Sequence, residues 1–306
     1  MSRRRSEVYA TSLALGLLSI LLGCRRMPRS STEIRVVTTL GVLADWARQI
    51  GGERIQVVSL LTGRESPHTY EPRPSDVRRI ADAHVLFRVG LGLEEWLEPL
   101  ITNANNPDLV IITAADSVSI IEGEPHSRFS EPTHHSEIGN PHIWLDPENA
   151  KIAINHLVAA LIRIDPKGES LYRSNQVRYT QRLDSLSAAI KTEFAALSDH
   201  RLVTFHDAWP YFARRFGLEI VACLEPIPGK EPSARQVAQV IGLVRKQGVR
   251  VIGTEPQLPS DVPTTIAQAT GAKLVVTNPL CIDETGQADY TAMLGQNARL
   301  IADALR

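Results

Sequence analysis

Of the nine histidines in the chain, three sit in phrases that restrict the backbone around them. His68 lies in Ser66-Pro67-His68-Thr69-Tyr70-Glu71-Pro72, His142 in Asn140-Pro141-His142-Ile143-Trp144-Leu145-Asp146-Pro147, and His206 in Thr204-Phe205-His206-Asp207-Ala208-Trp209. Neutral imidazole nitrogen is a borderline ligand that suits zinc. Three such rings with one oxygen make a tetrahedral set with bonds of roughly 2.0–2.1 Å. Flanking prolines limit backbone freedom and preposition the first two rings. Any one of these histidines alone also reads as an ordinary hydrogen-bonded surface or core residue; the phrases around them single them out.

The elements that must position these rings follow an α/β pattern. From Ile34 onward, β-rich runs alternate with amphipathic stretches: 34–40 then 42–50, 55–61 then 75–81, 84–89 then 93–100, and 109–113. Strand–helix repeats of this kind imply a parallel sheet with helices on its faces. Residues 122–141 break the pattern with Gly, Pro, Ser, Glu and His, and read as an exposed loop. From Pro147 to about Leu197 the spacing is helical, and Leu171, Val177, Leu183, Leu186, Ile190 and Phe194 mark one helix of more than twenty residues, long enough to reach across a domain. A second series pairs strands at 201–205, 219–224, 251–253 and 273–277 with helices at 209–216, 233–247, 263–270 and 290–305. The predicted architecture is two Rossmann-like lobes, residues 34–146 and 201–306, joined through a helical segment, 147–200, with one long rigid helix. Open α/β sheets bind ligands at the carboxyl ends of strands, so His68 and His206 converge if the lobes face each other across a cleft.

Composition narrows the alternatives. With 306 residues, 43% hydrophobic and 22% charged, the chain can bury two ordinary cores. A formal net charge of −1 gives no basic field for nucleic acid. Arg3, Arg4 and Arg5 precede a short apolar run that ends at Leu21-Leu22-Gly23-Cys24. The run is too short to span a membrane stably, and it resembles a bacterial lipoprotein signal, residues 1–23, in which Cys24 becomes the acylated first residue. The alternative is an ordinary secretory signal; export is expected either way. Cleavage before Cys24 removes three arginines and one glutamate, which takes the formal charge from −1 to −3 and mildly suits a cation binder. Cys223 and Cys281 lack the CxxC spacing of a thiolate zinc site, and spacing alone leaves open whether they pair.

The three histidine phrases, in this order and at these separations, resemble the metal-specific solute-binding lipoproteins of bacterial zinc and manganese ABC importers, over nearly the whole mature chain. The resemblance implies that His68, His142 and His206 bind the metal. Manganese-preferring relatives usually carry Glu at the third place, so His206 tilts the expected cargo toward Zn2+, with Mn2+ as the alternative. The family's fourth ligand is commonly an Asp in an Asp-Pro-Leu-like phrase. Here the matching phrase is Thr277-Asn278-Pro279-Leu280, which leaves Asn278 through its amide oxygen, a water, or nearby Asp283 to fill that place. Glu255-Pro256-Gln257 matches a recurrent family segment and puts Glu255 in a supporting role behind a ligand; its alternative is an ordinary solvated carboxylate. The segment with His126, His134 and His135 resembles a short form of the His- and acid-rich loop of zinc-type relatives, and reads equally as a polar surface loop. The partners implied are an importer permease and its ATPase, with the membrane reached through the lipid anchor, on the outer face of the cytoplasmic membrane or in the periplasm. The chain is expected to act as a monomer, without nucleic acid and without catalysis.

Two rival readings come from other classes. A zinc hydrolase also uses three protein ligands and an open place, but no His-Glu-x-x-His helix is present and no general base is evident. A metal-binding surface adhesin would use the same lipid anchor, but no large binding insert is present. Gly90-Leu91-Gly92 invites a nucleotide-loop reading, yet Glu95 stands where the third glycine belongs and would repel a pyrophosphate. A strand-to-helix turn is expected there.

Overall fold

The run Ile34–Thr38 forms the first strand (β1), with both faces largely buried, as a central parallel strand requires. It pairs in parallel with β2 (Ile55–Ser59) on one side and β3 (Val85–Arg88) on the other, and β3 pairs with β4 (Val110–Thr113). The order is β2-β1-β3-β4. Helices α1 (Gly41–Gly51), α2 (Pro74–Ala81) and α3 (Leu97–Ala104) connect these strands. This computed structural model describes residues 33–63, 65–122, 139–225, 231–282 and 288–306. Cys24 with the segment before it, the histidines at 126, 134 and 135, and Asp283 lie outside the described residues.

The second sheet repeats the design. Strands β5 (Arg201–His206), β6 (Glu219–Glu225), β7 (Val251–Thr254) and β8 (Lys273–Val276) are all parallel, in the order β6-β5-β7-β8. Helices α6 (Pro210–Phe216), α7 (Ala234–Gln247), α8 (Asp261–Thr270) and α9 (Tyr290–Leu305) flank it. The α7 start is a capping box: Ser233 accepts from the Gln236 backbone, and Gln236 reaches back to the Ser233 N–H at 2.8 Å. The two α/β sheets and a long linking helix are therefore the fold expected from the alternating pattern.

Between the sheets run α4 (Pro147–Ile164) and α5 (Glu169–Ala195). They are separate because Asp165-Pro166 interrupts the helical hydrogen bonds and turns the chain through a short 3-10 segment. With 27 residues, α5 is about 40 Å long. Its buried face is Tyr172, Asn175, Tyr179, Leu183, Ser187, Ile190 and Phe194. Leu171 and Val177, which the apolar spacing placed on that stripe, are 38% and 56% exposed. Polar residues hold the inner face instead: Asn175 donates to the Ile50 carbonyl at 2.8 Å and Tyr179 donates to Asp45 at 3.2 Å, both on α1. Arg182 donates to Thr291 of α9 at 2.7 Å, so one helix is tied to elements of both sheets. One apolar cluster is continuous from β1 through α4 and α5 to α9, and a smaller one lies between the second sheet and α7 and α8.

The predicted turn at Gly90 is present, and it delays α3 to Leu97 rather than the expected Leu93. Gly90 has φ +91°, and a Cβ there would fall 2.5 Å from the Thr113 methyl, so only glycine fits without displacing a neighbouring strand. Glu94 fills the turn from inside, accepting from Val89 N at 2.8 Å, Gly90 N at 2.9 Å and the Thr39 hydroxyl at 2.7 Å. Burial pushes its carboxyl group up, against those three hydrogen bonds. Cys223 lies within β6 and Cys281 in the loop after β8; both are free and buried, and burial raises both thiols.

Candidate metal centre

The His68 loop, between β2 and α2, is pinned by its neighbours. Trp96 donates from Nε1 to the Pro67 carbonyl at 2.9 Å and stacks edge-on against Tyr70, whose hydroxyl donates to Asp76 at 2.8 Å. Asp76, fully buried in the first turn of α2, also accepts from the Arg73 backbone at 2.8 Å. The proline, tyrosine and aromatic residues of this loop thus fix where the His68 ring stands.

The polar members of the second phrase make distinct bonds. Asn140 accepts from the His142 backbone N–H at 2.9 Å and faces His142 Nδ1 at 3.0 Å. Because the amide oxygen only accepts, His142 Nδ1 carries the proton and Nε2 keeps its lone pair. The Asn140 amide nitrogen donates to Asp207 O at 2.8 Å, and the Tyr211 hydroxyl to Asn140 O at 2.8 Å, so this orienting residue is itself held by the second half of the chain. Trp144 donates to Pro279 O at 2.6 Å, and its own carbonyl accepts from the Tyr290 hydroxyl at 2.6 Å. Asp146 caps α4 through Glu148 N at 2.9 Å and takes both arms of Arg215, at 2.7 and 2.9 Å. That carboxylate is 1% exposed, and removing its partner would cost about 3–5 kcal/mol.

His206 is the last residue of β5. Its Nδ1 lies 3.3 Å from both oxygens of Glu255, which follows β7 and accepts in turn from Gln257 Nε2 at 2.7 Å. This bond turns Nε2 away from Glu255, and Nε2 is buried without a hydrogen-bond partner among the described residues. Burial opposes the charged form of His206, yet the Glu255 carboxylate, with Asp207 and Glu225 nearby, outweighs burial and raises its proton affinity above the ordinary imidazole range.

The three rings meet. His68 Nε2 and His142 Nε2 are 3.1 Å apart, and ring centroids are separated by 5.1 Å for His68 and His142, 5.3 Å for His68 and His206, and 4.7 Å for His142 and His206. One ligand atom from each residue lies within 4.8 Å of the others. Two nitrogens bound to one tetrahedral zinc stand about 3.3–3.4 Å apart, so the spacing suits a shared ion. The cavity they line is about 20 Å³, with Trp144, Glu225, Glu255 and Leu280 among its walls. It has space for about one water-sized occupant among the three rings.

Asn278, one of the candidates for the fourth place, is held by its neighbours. Asn278 does not line the cavity: its amide nitrogen donates to Ile282 O at 2.5 Å, and its backbone is clamped by Asn297, which accepts from Asn278 N and donates to Asn278 O, both at 2.8 Å. Glu255 is 3% exposed and stands behind His206. Sequence reasoning passed over Asn140 and Glu225. Asn140 is adjacent to a proline and two residues from a histidine, which was the available signal; Glu225 is adjacent to the site only through strand pairing.

The model of the family described as "Zinc-uptake complex component A periplasmic" matches residues 36–304. The chain belongs to this zinc-uptake family. Among its relatives, the high-affinity zinc uptake system protein ZnuA of Bacillus subtilis is 28% identical over 280 residues, covering 89% of this chain and 88% of that protein. The manganese-binding lipoprotein MntA of Halalkalibacterium halodurans is 26% identical over 295 residues, covering 94% of each. A crystal structure of ZnuA superposes with a TM-score of 0.80 at 26% identity, over 90% of this chain and 100% of that one. Relatives with nearly equal similarity to this chain are thus named for different metals.

Proposed function

We propose that this chain is the extracytoplasmic substrate-binding protein of an ATP-driven importer: it captures one divalent transition-metal ion, zinc first, and delivers it to a membrane permease and its ATPase. The observation that carries this reading is the convergence of His68, His142 and His206 on a cavity the size of one ion. Nitrogen donors favour zinc over manganese, while oxygen-rich sites suit manganese. The named relatives support both metals, and the three nitrogen donors favour zinc.

In this reading residues 34–146 and 201–306 act as two lobes around the 147–200 segment, the first lobe supplying His68 and His142 and the second His206. Neutral imidazoles take the ion as it sheds its water. Because α5 is bonded to both α1 and α9, the lobes close little, and ordering of the loops around the cavity signals occupancy to the permease. The mature chain acts as a monomer and is held at the membrane by acylated Cys24. No helix of the described residues is long and apolar enough to cross a membrane. Transport fits the site better than hydrolysis, since the three histidines converge without a His-Glu-x-x-His helix.

The test is metal content and competitive zinc and manganese titration of the mature chain beside a His68→Ala, His142→Ala, His206→Ala triple variant. One tight equivalent of zinc, lost in the variant, is expected. Zinc binding that persists in the variant would falsify the site.

A further inference from the structure

Chain order places His142 in the first half of the molecule, yet the segment 140–146 that carries it is gripped from the second. The Asn140 amide donates to Asp207 O at 2.8 Å, immediately beyond His206. Tyr211 and Arg215, one turn apart on α6, hold the two ends of the segment: the Tyr211 hydroxyl donates to Asn140 O at 2.8 Å, and Arg215 donates to both oxygens of Asp146 at 2.7 and 2.9 Å. In the middle, Trp144 donates to Pro279 O and accepts at its carbonyl from the Tyr290 hydroxyl, both at 2.6 Å. The first half also reaches the segment, where Asn140 N donates to Ile121 O at 3.0 Å, but Ile121 N in turn donates to the Tyr211 hydroxyl at 3.1 Å. Because α6 begins at Pro210, just after His206, one helix follows one ligand and clasps both sides of another.

The loop that carries His68 is tied to the first half: Trp96 donates to Pro67 O at 2.9 Å, the Tyr70 hydroxyl to Asp76 at 2.8 Å, and Thr62 N to Glu65 at 3.0 Å. Ring spacing follows the same division, with 4.7 Å between the centroids of His142 and His206 against 5.1 and 5.3 Å for the pairs that include His68. Drawing His142 away from His206 would break the bonds to Asp207, Tyr211, Arg215, Pro279 and Tyr290 and leave the buried Asp146 carboxylate unpaired, whereas drawing His68 away leaves all of them intact.

We propose that His142 and His206 form one preassembled ligand pair carried by the second half, and that His68 is the separate arm, which closes on the ion last. The inference rests on the metal-capture reading above and moves His142 from the first lobe to the second, with Tyr211 and Arg215 as its positioning residues. A dication docks on two nitrogens whose spacing is already set, and the third arrives with the 66–72 loop. Release runs in the reverse order, so the position of that loop reports occupancy.

The experiment follows amide hydrogen exchange of the mature chain with and without zinc, in wild type and in Tyr211→Phe, with zinc dissociation measured in parallel by chelator competition. In wild type, zinc is expected to slow exchange in 66–71 by at least about tenfold, while 142–146 and 204–208 change little and change together. Tyr211→Phe is expected to speed exchange in 142–146 of the metal-free chain, to speed zinc dissociation about tenfold, and to leave metal-free exchange in 66–71 unaltered. Zinc protection in 142–146 that matches 66–71 while 204–208 stays unchanged overturns the pairing. So does a lack of protection in 66–71, or a Tyr211→Phe chain that loses thermal stability with zinc dissociation unchanged. Should Tyr211→Phe fail to fold, the wild-type comparison decides alone. Tight zinc binding by the triple histidine variant is a different failure: it removes the capture site, and the pair with it.

Discussion

The two sheets share one strand order, and in each the order reverses between the first strand and the third: between β1 and β3, and between β5 and β7. Reversal of this kind opens a crevice at the carboxyl ends of the strands. In the first sheet the crevice holds Glu94, which directs its oxygens at a hydroxyl and two backbone N–H groups of the scaffold. In the second it holds Glu255, which directs its oxygens at His206 Nδ1. Both carboxylates are buried, and both have polar partners. The difference is that a hydroxyl or a backbone N–H ends the chain of contacts, whereas an imidazole has a second nitrogen on its opposite side. One crevice is therefore sealed and the other ends in a ring nitrogen of a histidine that lines the cavity.

The largest expected consequence of this difference is in metal affinity. Glu255→Gln removes the charge that orients His206 and raises its basicity, and zinc should bind about 10–100-fold more weakly, measured by competition with a chromophoric chelator. An unchanged affinity would mean that the two crevices are equivalent after all.

The pH dependence sharpens the same point. His206 is raised above its ordinary value, so protons compete with zinc from above pH ~6.5, and affinity should fall about tenfold per pH unit below the raised value. In Glu255→Gln only the lowering effect of burial remains prominent, and the onset moves to lower pH. For the metal-free chain the sign is opposite. The stabilisation from protonated His206 against Glu255 is fully present below about pH 6.5 and is lost as pH rises through the folded-state value. Thermal melts across this window should therefore show the metal-free and zinc-loaded forms moving in opposite directions.

Glu94→Gln should act on stability and leave the cavity alone. It places an amide NH2 against the Gly90 N–H, and relief from burying a charge offsets part of the loss. The net expectation is about 1–2 kcal/mol, a few degrees in Tm, with zinc affinity unaltered. A change in zinc affinity larger than that in Glu255→Gln would invert the assignment of sealed and open crevices. The smallest effect is expected for Tyr290→Phe, which keeps the buried ring but loses the bond to Trp144 O; about 1 kcal/mol of stability should disappear in a denaturant melt.

Much of this arrangement was legible in the residue order. The β-branched runs at 34–38, 55–59, 201–206 and 219–225 are bounded by turn residues or helical spacing, so their existence needed no tertiary information. The histidine phrases were legible because proline, tryptophan and aspartate around them have fixed jobs: restricting φ, anchoring by Nε1, capping α4. The inner face of α5 was not, because Asn175 is buried there by its bond to Ile50 O, with Ser187 on the same face, while Leu171 and Val177 face outward. Apolar spacing cannot anticipate that exchange. Glu94, Asn140 and Glu225 were equally hidden. What each does depends on which strand or loop lies next to it, and strand neighbours are set by the sheet order and not by distance along the chain.

The close spacing of the three rings has a kinetic consequence. In the reading proposed above, a hydrated dication arrives with about six waters, and the three converging imidazole nitrogens must replace several of them. Most of the shell is therefore stripped at the rim, before all three rings are engaged. Entry is then gated by how fast an ion exchanges water, and magnesium, which dehydrates reluctantly, is delayed at the threshold as well as disfavoured at the binding site. In that reading the site sorts ions by rate as well as by affinity.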